Sequence, residues 1–201
     1  MEKAMPEKIK KTTNLHKLVI LARKNADFFQ DLDSRAYASI IKGEQRGELY
    51  PLNSSCFEDW LSAINFKVFD EVAPSKLKLD VKAHLEVESK LSGKINKVGL
   101  RVIGNEEFIE IDLGDKDWKS VQITKDGWRV REHKNFFYRN KSMKPLPVPC
   151  KDKLDEDWAD SIFNISGNNQ SMLIMGWLIG CFMPDGPIPM LVIQGEQGSG
   201  K

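Results

Sequence analysis

The chain has 201 residues, of which 41% are hydrophobic, and a formal net charge of +1 at pH 7. That length suits one or two domains, and the near-neutral charge excludes the strong global field of many nucleic-acid or membrane binders. The charge is uneven, however, since residues 1–24 hold seven Lys or Arg against two Glu, and residues 125–151 hold eight against two acids. These basic segments hint at a polyanionic partner, although such runs usually form solvated faces.

The scattered cysteines and histidines argue against a disulfide framework or a metal centre. Cys56, Cys150 and Cys181 are an odd, widely spaced set without a C-x-x-C pair, and the three histidines are equally dispersed. We therefore expect no metal site and a reducing, cytoplasmic setting. The most apolar helical stretch, residues 171–183, is shorter than the ~20 residues that span a bilayer, and the lysine-rich N-terminus lacks the apolar core of a signal peptide. We expect a soluble protein without membrane contact.

Periodicity in the first half of the chain predicts helices around a β-hairpin, the opening part of an α+β fold. Residues 1–24 are predicted to be a basic tail and a first helix, with Thr13 or Asn14 as its N-cap. The elements predicted next are a polar loop (30–34), a strand (37–41), its hairpin partner (48–52), a helix from Ser54 or Ser55 to Asn65, and a helix from Pro74–Ser75 to Ser92–Gly93. Trp60 lies in an apolar helical stripe and is expected in the core, and His84 is expected on a polar helix face.

Alternating apolar and polar residues then predict an antiparallel β-meander. Its four strands are 97–103, 108–113, 120–124 and 127–132, separated by turn-forming pairs such as Asp126–Gly127. Trp118 and Trp128 are expected to cover one face of this sheet. Residues 25–143 are thus predicted to form one α+β accessory or recognition domain.

Residues 135–144 mix aromatic rings with cations, a combination that stacks bases and neutralises phosphates. In a nucleic-acid contact the binding residues would be Phe136, Tyr138, Arg139 and Lys141. The alternative is a segment that closes the sheet with a charged outer edge. The sequence leaves both interpretations open.

Three prolines in alternate positions then predict an extended, stiff linker at residues 144–150. Beyond it, residues 151–201 are predicted to begin a second domain. The predicted elements there are an acidic helix (155–163), a strongly apolar helix capped by Asn168 or Asn169, and a short buried strand (190–194). An apolar helix followed by such a strand is the expected start of a P-loop α/β ATPase core, with the helix as its lead-in and the strand as its first strand.

The last seven residues carry the most specific motif. Gly195-Glu-Gln-Gly-Ser-Gly-Lys201 fits G-x-x-x-x-G-K, the phosphate-binding loop of P-loop NTPases, and it directly follows the strand-like run. The motif predicts that the triphosphate of ATP is bound by Gly195, Glu196, Gln197, Gly198, Ser199, Gly200 and Lys201. The glycines would let backbone N–H groups turn toward the phosphates, and Lys201 would act in catalysis by stabilising charge on the γ-phosphoryl group. A glycine-rich turn that matches by chance is the alternative.

The position of this motif at the very end predicts a longer protein. The Ser or Thr that binds Mg²⁺ in P-loop proteins would be the next residue after Lys201. We therefore interpret the chain as the N-terminal fragment of a longer ATPase, truncated within its core, and expect residues 1–201 alone not to hydrolyse ATP.

Seven segments form an ordered pattern along the chain. They are residues 29–38 (FQDLDSRAYA), 50–61, 111–121, 127–130 (GWRV), 137–139, 143–149 and 195–201. Together they resemble the large ATP-binding proteins of phages and integrated mobile elements, of the helicase or primase-helicase-like type. The resemblance covers nearly the whole chain from residue 15.

The resemblance implies an N-terminal α+β region joined to an ATPase core that uses ATP and Mg²⁺ and acts on DNA during replication of the element. It leaves open whether the complete protein is a homo-oligomer. A rival interpretation is that residues 28–140 are a non-catalytic recognition module, which docks a protein partner or origin DNA while the ATPase serves as a switch. An unrelated P-loop NTPase with an accessory domain is a third interpretation.

Overall fold

The computed structural model describes residues 13–44, 46–133, 135–140, 142–151, 162, 168–187 and 190–194. The chain is of mixed α+β type and divides into two compact units between Lys97 and Val98. This division lies within the predicted domain 25–143, and the sequence analysis did not anticipate it. The elements of the first unit are α1 (Asn14–Asn25), β1 (Ala26–Gln30), β2 (Ala36–Ile40), β3 (Leu49–Pro51), α2 (Ser55–Phe69) and α3 (Ser75–Leu91).

The first unit packs its helices with an antiparallel sheet of order β1-β2-β3. Thr13 caps α1, because its side-chain oxygen accepts a hydrogen bond from the His16 N–H at 3.3 Å. The core contains the T-shaped pair Phe28 and Phe57, with ring centroids 6.4 Å apart, and Trp60 stacked on Phe57 at 5.5 Å. The prediction that Trp60 belongs to the core is confirmed, since the residue is buried.

Two elements in this unit differ from the predictions. Residues 26–30 form a strand that the sequence analysis missed, because Phe28 and Phe29 are both buried and no apolar–polar alternation marks the strand. Helix α2 continues to Phe69 rather than ending at Asn65. Its last turn exposes Phe66, Val68 and Phe69, so the apolar stripe stops before the helix does.

The second unit is built around a β-meander. Its elements are β4 (Val98–Gly99), β5 (Val102–Gly104), β6 (Phe108–Asp112), β7 (Lys119–Thr124), β8 (Gly127–Glu132), β9 (Phe136–Phe137) and α4 (Asn168–Gly180). Strands β5 to β8 pair antiparallel in chain order, with Ile111 opposite Val121 and Val121 opposite Val130. The predicted meander is confirmed for β6, β7 and β8.

The single strand predicted at 97–103 is wrong, because the chain forms two strands there that join different sheets. Strand β4 pairs in parallel with β9, whereas β5 pairs with β6. Gly99 permits this close approach, since a Cβ atom there would lie 2.9 Å from the Val102 carbonyl oxygen and 3.2 Å from the Phe137 ring. The start of the proline-rich segment is hydrogen-bonded to this unit, since the Leu146 N–H donates to the Leu113 carbonyl at 2.7 Å.

Helix α4 matches the predicted apolar helix and begins at Asn168. Residues 190–194 are not in a strand, and none of the described residues pairs with them, so the predicted buried strand is not observed there. The predicted acidic helix at 155–163 lies outside the described residues apart from Ile162. In the described part of the chain, no helix combines the length and the apolar character needed to cross a membrane.

Candidate functional site

The predicted nucleotide-binding residues Gly195 to Lys201 lie outside the described residues. The run that leads to them is described, and it is exposed, with Met190, Val192 and Ile193 all accessible to solvent. The assignment of ATP binding to this segment therefore stays a prediction from the sequence.

The predicted nucleic-acid residues lie along and after β9. Phe136 and Tyr138 are half-buried, and the Tyr138 N–H donates to the Gly99 carbonyl at 2.9 Å, which continues the pairing of β9 with β4. Arg139 is turned toward the meander, where its guanidinium group is bound by Asp112. Lys141 lies outside the described residues. The structure thus holds the Tyr138 backbone and the Arg139 side chain within the second unit. Contact of Phe136, Tyr138, Arg139 and Lys141 with nucleic acid stays a prediction.

The polar side chains of β6 and β7 form the most distinctive cluster in the described chain. Alternation along these strands places Glu110, Asp112, Ser120 and Gln122 on one face of the sheet, and Ile109, Ile111, Val121 and Ile123 on the other. All four polar residues are buried, and Glu110 and Asp112 are 0% exposed. Alternation alone would place such residues on a solvated face. The sequence analysis consequently missed this cluster.

Asp112 and Arg139 form a bidentate ion pair at one end of the cluster. Arg139 donates from Nε to Asp112 Oδ2 at 2.8 Å and from Nη2 to Asp112 Oδ1 at 2.6 Å. Its third nitrogen, Nη1, donates to the Asp115 carbonyl at 2.5 Å, and the guanidinium carbon lies 3.8 Å from the centre of the Trp118 ring. The planar guanidinium matches a carboxylate in this fork geometry and also stacks on aromatic faces. Every nitrogen of Arg139 is therefore used within the unit.

Glu110 is the second buried carboxylate of the cluster. Its Oε1 accepts from Ser120 Oγ at 2.6 Å, and its Oε2 accepts from Arg131 Nη2 at 3.3 Å and from Asn135 Nδ2. A buried carboxylate needs such donors, since an unpaired charge in the interior is costly. These contacts tie Asn135, which follows β8, to Glu110 in the middle of the sheet.

His133 packs between two aromatic rings beside this network. Its ring lies 5.3 Å from Trp118 and 5.4 Å from Phe137, both in edge-to-face contacts. Its Nδ1 lies 2.7 Å from the Asn135 carbonyl oxygen, a contact that requires the proton on Nδ1. His133 Nε2 and Arg131 Nε are buried and have no hydrogen-bond partner within the described structure.

The network can hold Asn135 and Arg139 against the sheet, and the carboxylates of Glu110 and Asp112 accept the hydrogen bonds that do so. Both carboxylates are saturated by donors from their own unit. Within the described ranges, no group of three His, Cys, Asp or Glu side chains is arranged to hold a metal ion. The arrangement thus fixes a framework for the second unit, and its buried carboxylates are not placed to attack or protonate a substrate.

Two tyrosines of the first unit are held by neighbouring carboxylates. Burial raises the pKa of the Tyr37 hydroxyl, and the nearby Asp31 raises it further, while the Tyr37 ring stacks on Phe29 at 5.9 Å. Burial also raises the pKa of Tyr50, whose hydroxyl donates a hydrogen bond to Glu48. In the β1–β2 turn, the Asp31 carboxylate accepts the N–H groups of Asp33 and Arg35 at 2.9 and 2.8 Å. The polar residues of segment 29–38 thus shape a turn.

Comparison with known proteins gives no relative: no protein-family model, no curated protein and no solved structure matches the chain.

Proposed function

We propose that the chain is the N-terminal part of an ATP-binding, helicase-like protein of a phage or integrated mobile element, and that the protein acts on DNA. The observation that carries this proposal is the G-x-x-x-x-G-K motif at residues 195–201, immediately after a short apolar run. The ordered resemblance along the chain supports the same assignment.

The chemistry of the motif follows from its residue types. Gly195, Gly198 and Gly200 allow the backbone to bend so that several N–H groups face the phosphates. Lys201 places a cation against the β- and γ-phosphates and stabilises charge on the transferred group. Mg²⁺ bridges the same phosphates and is held by a Ser or Thr that follows the lysine in such loops.

A second function is favoured by the bonding of Arg139. All its guanidinium nitrogens contact Asp112 or Asp115, and a side chain bound in this way has little capacity left for phosphates. In the second proposal, residues 28–140 form a non-catalytic recognition module that docks a protein partner or origin DNA, and the ATPase acts as a switch.

Hydrolysis and DNA binding separate the two proposals. For the first, a protein extended beyond Lys201 should hydrolyse ATP faster when single-stranded DNA is added, and Lys201→Ala should abolish this activity. Lys151→Ala, which changes an exposed lysine outside the motif, is the matched control. Hydrolysis that is unchanged by Lys201→Ala would contradict the role of the motif, whereas hydrolysis insensitive to DNA would favour the docking proposal.

A test of nucleic-acid contact by residues 136–141 needs a variant that leaves the fold intact. Arg139 is unsuitable because its loss leaves the buried Asp112 charge without its partner. Lys141→Glu is preferable, with Lys125→Glu in the exposed β7–β8 turn as the control. If residues 136–141 bind DNA, Lys141→Glu should weaken binding and lower its salt dependence, because one phosphate contact is lost. Equal effects of the two variants would argue against a specific contact there.

A further inference from the structure

Strand β8 lies at an open edge of the meander. The sheet order β5-β6-β7-β8 makes β5 and β8 its two edge strands. Strand β5 has three residues, and Pro184 lies against its Gly104, where an added Cβ atom would be 2.8 Å from the proline Cγ. Strand β8 has six residues, contains no proline, and leaves Trp128, Arg129 and Glu132 exposed. A long, exposed edge strand is the feature to which a further strand can pair.

The hydrogen bonds between β7 and β8 determine which backbone groups of β8 point outward. In an antiparallel pair, every second residue directs its N–H and C=O groups toward the neighbouring strand. The His133 N–H donates to the Trp118 carbonyl at 3.1 Å, so alternate residues of β8, counted back from His133, point toward β7. Trp128, Val130 and Glu132 therefore direct their backbone groups away from β7. In the described part of the unit, no other strand pairs with them.

The side chains of β8 alternate between a basic side and an apolar side. Arg129 and Arg131 lie on the polar face of the sheet, whereas Trp128 and Val130 lie on the apolar face. Arg131 is paired with Glu110, but Arg129 donates to a neutral amide at 2.9 Å and forms no ion pair with any described residue. Opposite charges that face each other across neighbouring strands stabilise a sheet. A strand added to β8 should therefore place a carboxylate opposite Arg129 and apolar side chains opposite Trp128 and Val130.

The same arginines argue against a second copy of β8 as the added strand. Outward-pointing residues must pair with one another, so antiparallel self-pairing places Val130 opposite either Trp128 or Val130 of the second copy. These are the two registers with the longest overlap. The first places Arg129 opposite Arg129, and the second places Arg129 opposite Arg131. Like charges in this position destabilise a sheet, and charged edge strands are a common protection against self-pairing.

We propose that β8 binds an extended segment of a partner protein in which acidic and apolar side chains alternate. The segment adds a fifth strand to the four-stranded sheet and accepts hydrogen bonds from the N–H groups of Trp128, Val130 and Glu132. One of its carboxylates faces Arg129, and its apolar side chains pack beside Trp128, which is 37% exposed. The inference rests on the protein-docking form of the second proposed function and gives it a surface and a partner chemistry.

Peptide titration of the 201-residue chain tests the backbone contact. The probe is the fluorescein-labelled peptide TVEVEVT, which presents valines on one side and glutamates on the other, and fluorescence anisotropy measures its binding. Val130→Pro removes an outward N–H that does not bond to β7, a change that edge strands tolerate. Val130→Ala is the matched control, because it removes the same side-chain packing and keeps the N–H. We expect Val130→Pro to bind the peptide at least about tenfold more weakly than Val130→Ala.

Charge exchange tests the side-chain contacts and leaves the backbone donors in place. The wild-type chain should bind TVEVEVT about tenfold more tightly than TVKVKVT, and Arg129→Glu should remove this preference. Lys125→Glu, in the exposed β7–β8 turn, makes the same change of charge outside the paired positions and should keep the preference. Circular dichroism verifies that each variant is folded.

The contrary results are distinct from one another. No binding of TVEVEVT at its highest soluble concentration, equal affinity of the wild-type chain for both peptides, or equal affinity of Val130→Pro and Val130→Ala would overturn the edge site. Self-association of the chain that Val130→Pro abolishes would assign the edge to a second copy and would also overturn it. The second proposed function would survive these results, because it is decided by the response of ATP hydrolysis to DNA.

Discussion

Replacing Arg139 with alanine should destabilise the second unit strongly. The substitution removes both donors to Asp112, the donor to the Asp115 carbonyl and the stacking contact with Trp118. Asp112 is 0% exposed and would keep only the Gly114 N–H, at 3.1 Å, among the donors that contact its side chain in the described structure.

The magnitude follows from the unpaired charge. Removing one partner of a buried ion pair costs about 3–5 kcal/mol, chiefly because the other charge stays buried without compensation. At about 1.4 kcal/mol for each factor of ten, opening of the unit should become roughly 100- to 4,000-fold more frequent. The control is Arg129→Ala. Arg129 is an exposed arginine that donates to a neutral amide, Gln122 Oε1, and its loss should cost only about 1 kcal/mol.

Hydrogen exchange followed by mass spectrometry measures the opening of the second unit separately from that of the first. Peptides that cover β6 and β7 should exchange faster by the stated factor in Arg139→Ala, whereas peptides from β1 and β2 serve as the internal reference. A tenfold or smaller change, or an equal change in Arg129→Ala, would refute the conclusion that the ion pair holds the second unit together.

Two further predictions concern the first unit. Phe57→Ala removes a fully buried ring that contacts Phe28 and Trp60 and should cost about 3–5 kcal/mol, measured by exchange of β2 peptides; a loss below about 1 kcal/mol would contradict the packing. Because folding raises the pKa of Tyr50, the contribution of this residue to the free energy of unfolding is complete below the ordinary tyrosine pKa of 10.0. The free energy of unfolding should fall as the pH rises above 10.0. In Tyr50→Phe, the free energy of unfolding, measured with urea, should fall less steeply with pH. An unchanged slope of this free energy against pH would contradict the raised pKa of Tyr50.

The elements that the sequence predicted well are those in which apolar and polar residues recur with a regular period. Helix α3, with Val81 and Leu85 inside, and strands β6 to β8 of the meander show a clear period, and their bounds differ from the predictions by about one residue. Strand β1 was missed because the consecutive apolar residues Phe28 and Phe29 are both buried, which removes the alternation. The close approach at Gly99 involves Phe137, which lies far along the chain, so no local pattern indicates it.

The sequence analysis missed the polar network for a related reason. Glu110, Asp112, Ser120 and Gln122 alternate with apolar residues just as a solvated face would, and only the tertiary contacts of Arg131, Asn135 and Arg139 explain their burial. The proposed nucleotide-binding motif differs in this respect, because the evidence for it is a local sequence pattern that does not depend on distant contacts.

The most direct test of the proposed function is calorimetric titration of a protein extended beyond Lys201 with a non-hydrolysable ATP analogue and Mg²⁺. The proposal predicts one saturable site that Lys201→Ala weakens at least about tenfold, because a cation is removed from the β- and γ-phosphates, while Lys151→Ala leaves it unchanged. Absence of binding at saturating analogue, or equal affinity of Lys201→Ala and the wild-type protein, would contradict nucleotide binding at residues 195–201.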